Sequence, residues 1–144
     1  MKESVILLVE DNPTDEQLTL RALRKSNILN EVIVVRDGPE ALNYLFASGA
    51  PDRDGNELPQ VVLLDLNLPK IGGLEVLRRI RAEERTKLLP VVILTSSKED
   101  KDLVAGYTFG ANSYVVKPVD FNQFAEAVKQ LGLYWLLVNQ RPPL

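Results

Sequence analysis

The chain has 144 residues, 17 basic and 20 acidic, with a net charge of −3, 45% hydrophobic and 26% charged content. That length carries one domain with a sizeable core. Histidine and cysteine are both absent, which excludes disulfides, thiolate chemistry, histidine-based metal sites and Ser-His-Asp triads. Any histidine chemistry must therefore come from a partner. No basic stripe supports nucleic-acid binding, no apolar run approaches the ~18 residues of a membrane span, and Met1 to Ser4 lack a signal-peptide pattern. A cytoplasmic protein without nucleic-acid or membrane partners is expected.

Val5 to Val9 is an unbroken apolar run, which reads as a strand buried on both faces of a parallel sheet. Asn12-Pro13 starts a helix to about Lys25, with Asn12 as its cap and Pro13 in the first turn. Glu31 to Val35 is the second strand. Asp37-Gly38 is read as a turn, and Pro39 opens a helix through Ala41, Leu42, Leu45 and Phe46. Ala47 to Pro59 is a long polar loop. Its Asp52, Asp54, Asn56 and Glu57 lack calcium-loop spacing, so it is read as solvated. Val61 to Asp65 is the third strand. Pro69 and Gly72-Gly73 mark a loop before a helix from Leu74 to about Glu84, whose Leu74, Leu77 and Ile80 share one face. Pro90 precedes a fourth strand ending at Thr95. Ser97 with Asp100 resembles a capping box for the next helix. Ser113 to Val116 is the fifth strand, and Asp120 with Gln123 opens the last helix. Strands alternating with helices over short loops predict an α/β fold, a parallel sheet covered on both faces.

In a parallel sheet all strand ends share one edge, and ligands bind in the crevice outside it. Glu10 and Asp11 follow strand one, Asp65 ends strand three, Thr95 ends strand four and Lys117 follows strand five. Three carboxylates, a hydroxyl and an ammonium are thus gathered together. Glu10, Asp11 and Asp65 would repel one another without a counter-charge. An all-oxygen donor set suits magnesium, or manganese, and leaves a coordination position for a phosphoryl oxygen. Aspartate can attack phosphorus, so Asp65 is the candidate nucleophile, with metal ligation as its alternative role. Lys117 can neutralise a phosphoryl oxygen, and Thr95 can donate a hydroxyl hydrogen bond to one.

The stretches Val9-Glu10-Asp11-Asn12, Asp65-Leu66-Asn67-Leu68-Pro69, Leu94-Thr95-Ser96 and Lys117-Pro118 carry a resemblance. In this order and spacing, over about Ser4 to Leu131, the chain resembles the receiver domains of two-component response regulators. The resemblance implies a doubly wound five-stranded sheet of order 2-1-3-4-5. It implies Asp65 as phosphoacceptor, and a magnesium ion held by Asp11, Asp65, the backbone carbonyl of Asn67 and, through water, Glu10. It also implies Thr95 as the switch hydroxyl, Tyr114 as the switch aromatic, a cis Lys117-Pro118 bond, and Asn67 and Ser97 flanking the path of the hydrolytic water. Such a protein is not an enzyme in its own right. It accepts a phosphoryl group from a sensor histidine kinase, catalysing only its own phosphorylation and dephosphorylation.

Residues 1–130 are read as the receiver domain and 131–144 as an extension of the last helix with a tail, leaving no output domain. Leu131, Leu133, Tyr134, Trp135, Leu136, Leu137 and Val138 crowd this extension. Two readings stay open: packing on its own domain, or a partner or homodimer surface anchored by Trp135. A homodimer through the face of strands four and five is the other arrangement weighed. The tail and the loop before strand three resemble single-domain regulators that partner bacterial and cyanobacterial phytochromes. A phosphate sink or relay intermediate is the alternative function. A haloacid-dehalogenase-type enzyme would need D-x-D after strand one, where Glu10-Asp11-Asn12 stands. A flavodoxin-like flavin binder would need a loop without this acidity. A P-loop enzyme is excluded by the missing motif.

Overall fold

Strands whose side chains are apolar on both faces must be covered on both faces, and the alternation of the chain decides which side chain serves which cover. The computed structural model describes residues 5–25, 28, 30–46, 58–96 and 108–130. Its strands are β1 (Val5–Val9), β2 (Glu31–Val35), β3 (Val61–Asp65), β4 (Val91–Thr95) and β5 (Ser113–Val116). They form one sheet of order β2-β1-β3-β4-β5, with every neighbouring pair parallel. The described helices are α1 (Pro13–Lys25), α2 (Gly38–Phe46), α3 (Gly73–Ala82) and α4 (Phe121–Gln130).

The side chains of β1, β3 and β4 divide cleanly. Ile6, Leu8, Leu63, Val92 and Leu94 pack with Ala22 and Leu23 of α1 and Phe124 of α4. Leu7, Val9, Leu64, Val91 and Ile93 pack with Ala41 and Leu45 of α2 and Val76, Leu77 and Ile80 of α3. Two cores on opposite faces make the three layers of a doubly wound fold, as the sequence pattern and the resemblance predict. Register aligns the strand ends: Val9 stands beside Val35 and Leu64, Asp65 beside Leu94, and Thr95 beside Val116. Among the described residues no helix is long and apolar enough to cross a membrane.

Caps set the helix starts. Asn12 Oδ1 accepts from Asp15 N–H at 2.9 Å, and Asp120 Oδ1 from Gln123 N–H at 2.9 Å, both as expected. The second helix begins at Gly38, not Pro39. Asp37 is its cap and not merely a turn residue: its Oδ1 accepts from Glu40 N–H at 2.8 Å, and its carbonyl from Ala41 N–H. The third runs Gly73–Ala82, close to the expected Leu74 to about Glu84; it stops where Glu83 turns extended, and the Ile80 carbonyl then accepts from Thr86 Oγ1 at 2.6 Å. Residues 47–57 of the expected loop from Ala47 to Pro59, the start of the helix expected from Ser97 and the tail 131–144 lie outside the described residues.

Candidate functional site

The C-terminal edge of the sheet is where the side chains of five segments converge. The Asp65 side chain ends β3, is 2% exposed, and has a partner for each oxygen. Its Oδ1 accepts from Asn67 N–H at 3.0 Å, and its Oδ2 from Lys117 Nζ at 3.2 Å. Glu10, just past β1, is fully buried. Its Oε2 accepts from Asn12 N–H at 3.2 Å, and its two oxygens lie 3.2 and 3.3 Å from Lys117 Nζ. Asp11 is exposed at the rim, and ligand atoms of Glu10, Asp11 and Asp65 lie within 4.8 Å of one another.

Electrostatics follow from this crowding. Burial, then the hydrogen bond and charge of Asp65, push the Glu10 carboxyl up from 4.5 to about 7. Asn12 N–H and Lys117 offset only part of that. Burial alone would lower the Lys117 ammonium. The Asp15 hydrogen bond and the charges of Asp65 and Glu10 outweigh it and hold the group above its ordinary value. A buried carboxyl pushed toward neutrality by its neighbours is relieved by a further cation. The oxygen donors present fit a hard divalent ion, since Glu10, Asp11 and Asp65 can each offer one carboxylate oxygen.

Asp15 is the residue that reasoning from the sequence missed. From the first turn of α1 it reaches Lys117 Nζ at 2.8 Å, the shortest of that ammonium's ion pairs. The signal was present as one more acid after Glu10-Asp11, but only the direction of α1 aims it at β5.

Thr95, fully buried, ends β4, and its carbonyl accepts from Lys117 N–H at 2.8 Å. Tyr114 is half-buried against the α2/α3 core. Because Thr95 is paired with Val116 and Ile93 with Tyr114, Thr95 and Tyr114 lie on the same sheet face, one pleat apart. Asn67 is exposed just beyond Asp65. The Lys117-Pro118 peptide is cis, as the resemblance implies. Gly73 makes the Asp65 corner sterically feasible: a Cβ there would stand 2.3 Å from the Asp65 carbonyl oxygen and 2.9 Å from Leu66 Cα.

Residues 6–129 match the family model of the response regulator receiver domain. The chain belongs to this family. Among curated relatives, the probable methanogenesis regulatory protein FilR2 of Methanothrix harundinacea is 41% identical, over 96% of this chain and 87% of that one. Response regulator Rcp1 of Synechocystis is 38% identical, over 92% and 88%. Among solved structures, the bacteriophytochrome response regulator AtBRR superposes with a TM-score of 0.83 at 52% identity, covering 96% of this chain and 99% of that one. The Mn(2+)-bound form of Rcp1 superposes with a TM-score of 0.73 at 36% identity, covering 97% and 99%. The receiver fold expected from the motifs is thus matched by receivers of similar length, bacteriophytochrome response regulators among them. The manganese form shows a relative of the same fold binding a divalent metal.

Proposed function

We propose that this receiver is a phosphoacceptor that takes a phosphoryl group from a histidine of a sensor kinase onto Asp65. The observation that carries the reading is the Lys117 ammonium 3.2 Å from both Glu10 and Asp65 at the sheet edge, beside a trio of clustered carboxylates. Ionised Asp65 forms the new P–O bond as the donor's P–N bond breaks. The electron pair goes to the imidazole, which takes a proton from water. Lys117 meets the charge on a phosphoryl oxygen. Glu10, Asp11, Asp65 and the Asn67 carbonyl would hold Mg2+, or Mn2+. When bound, that ion neutralises carboxylate and phosphoryl charge.

Thr95 then donates its hydroxyl to the phosphoryl group, and Tyr114, on the same face, repacks beside it. Phosphate thereby favours one of two arrangements of the β4/β5 face. Residues 1–130 form the receiver and 131–144 an extension. The output is a change in partner binding or self-association, through that face or the extension. The similarity to AtBRR, a bacteriophytochrome response regulator, supports a phytochrome as the kinase.

Intact mass after incubation with Mg2+ and acetyl phosphate tests the reading. One phosphoryl adduct is expected on the wild type, abolished by chelator and lost in Asp65→Asn. An adduct that survives in Asp65→Asn assigns a different acceptor and overturns it.

A further inference from the structure

Lys117 has three ammonium hydrogens and three carboxylate partners. Asp65 and Glu10 form the floor of the site, at 2% and 0% side-chain exposure. Asp15 stands nearer the mouth, at 25%. Its contact is the shortest, 2.8 Å against 3.2 Å for the others. Its backbone is fixed as well, because Asp15 N–H donates to the Asn12 cap at 2.9 Å and the residue lies in the first turn of α1. A flexible four-carbon ammonium is a point charge with little geometry of its own. Its direction has to come from its acceptors.

We infer that Asp15 is a positioning residue for phosphoryl transfer: its carboxylate anchors one hydrogen of the Lys117 ammonium at the mouth, so that the other two are aimed at the Asp65 and Glu10 oxygens. The inference rests on the phosphoacceptor reading and extends it. During transfer the hydrogen directed at Asp65 passes to a phosphoryl oxygen, while the one directed at Asp15 keeps its partner. Nζ therefore swings about a fixed bond instead of searching. The role uses the contacts of Asp15 with Lys117 and with the Asn12 cap. With acetyl phosphate as donor, the new P–O bond forms to Asp65, the P–O bond to the acetyl group breaks, and its electron pair leaves on acetate. Asp15 exchanges no proton.

The test compares wild type, Asp15→Ala and Asp15→Asn in the full chain. Asparagine keeps an oxygen acceptor without the charge, and alanine keeps neither. Phosphorylation by acetyl phosphate is expected to slow about tenfold in Asp15→Ala, short of the roughly hundredfold that a 1 Å misplacement costs. Asp15→Asn should stay within about threefold of wild type, and Mn2+ affinity within about twofold in both, since position and not metal binding is at stake. A second readout needs no phosphorylation. In 15N-lysine NMR, the slowly exchanging Lys117 ammonium signal, assigned with Lys117→Arg, should persist in wild type and Asp15→Asn and vanish into solvent exchange in Asp15→Ala.

An Asp15→Ala rate at or above wild type overturns the inference. So does equal slowing in both variants, which assigns the effect to charge, or a parallel loss of Mn2+ affinity. If the wild type takes no phosphoryl group, the phosphoacceptor reading fails, and the ammonium signal still decides whether Asp15 positions Lys117.

Discussion

Replacing Glu10 with glutamine removes a buried carboxylate charge that the fold tolerates poorly. Glu10 is fully buried, and its carboxyl is raised from 4.5 to about 7 by burial and by Asp65. That displacement corresponds to about 3 kcal/mol held against the folded state once the group is fully ionised. The sign is set by proton binding. Between the unfolded value near 4.5 and the folded value near 7 the folded chain holds a proton that the unfolded chain has released. Stability of the metal-free protein therefore falls as pH rises through this window. Below it the contribution of Glu10 is fully present, and above it that contribution is lost. Glu10→Gln has no such titration, and its amide can still accept from Asn12 N–H. In chelator, urea unfolding followed by circular dichroism should find the variant about 2–3 kcal/mol more stable than wild type near pH 8, with the difference closing near pH 5. Saturating Mg2+ should reverse the order, because an ion that binds only the folded state stabilises most where its ligands are complete. A difference that is independent of pH, or a wild type more stable than the variant in chelator near pH 8, would refute the reasoning.

Two further predictions separate the site from its frame. Gly73→Ala pushes a methyl group to 2.3 Å from the Asp65 carbonyl oxygen, which is backbone and cannot yield cheaply. About 1–3 kcal/mol of stability should be lost by urea titration, and phosphorylation by acetyl phosphate should slow along with it. Arg81 acts at the opposite edge, donating to the Leu89 carbonyl at 2.7 Å, the Gly110 carbonyl at 2.7 and 3.0 Å, and Asn112 Oδ1 at 2.9 Å. Arg81→Ala takes the guanidinium donor from the Leu89 and Gly110 carbonyls, while Asn112 Oδ1 keeps Val91 N–H, and should cost about 2–3 kcal/mol in the same assay. Its phosphorylation rate should stay at the wild-type level in native conditions, and a specific loss of rate would contradict the separation of the two edges.

Much of the site could be read in advance because its residues are tied to strands. An apolar run that is buried on both faces announces a parallel strand, and parallel strands bring their last residues to one edge without further information. Glu10, Asp65, Thr95 and Lys117 are each within one residue of a strand end, so the pattern that defines the sheet also places them. Asn12 and Asp120 were likewise legible, since a cap acts on backbone only two or three residues away. The motifs at those positions carry the receiver resemblance, and the family model spans nearly the same residues.

Asp15 and Arg81 needed the fold. Both are helix residues that look like ordinary solvated charges, and each acts on a segment far along the chain. Asp15 meets Lys117 because α1 packs with its first turn beside the end of β5. Arg81 meets Gly110 and Asn112 because α3 ends beside the loop entering β5. The exclusion of a side chain at Gly73 is equally invisible in sequence, since it depends on how closely the chain after β3 doubles back on Asp65. Local pattern determined the strands, the caps and the composition of the sheet's C-terminal edge, because short-range backbone sterics and burial act along the chain. Tertiary packing alone decided which charges share the Lys117 ammonium and how strongly Glu10 resists ionisation, because Coulomb energy and desolvation depend on distances between segments that sequence order does not encode.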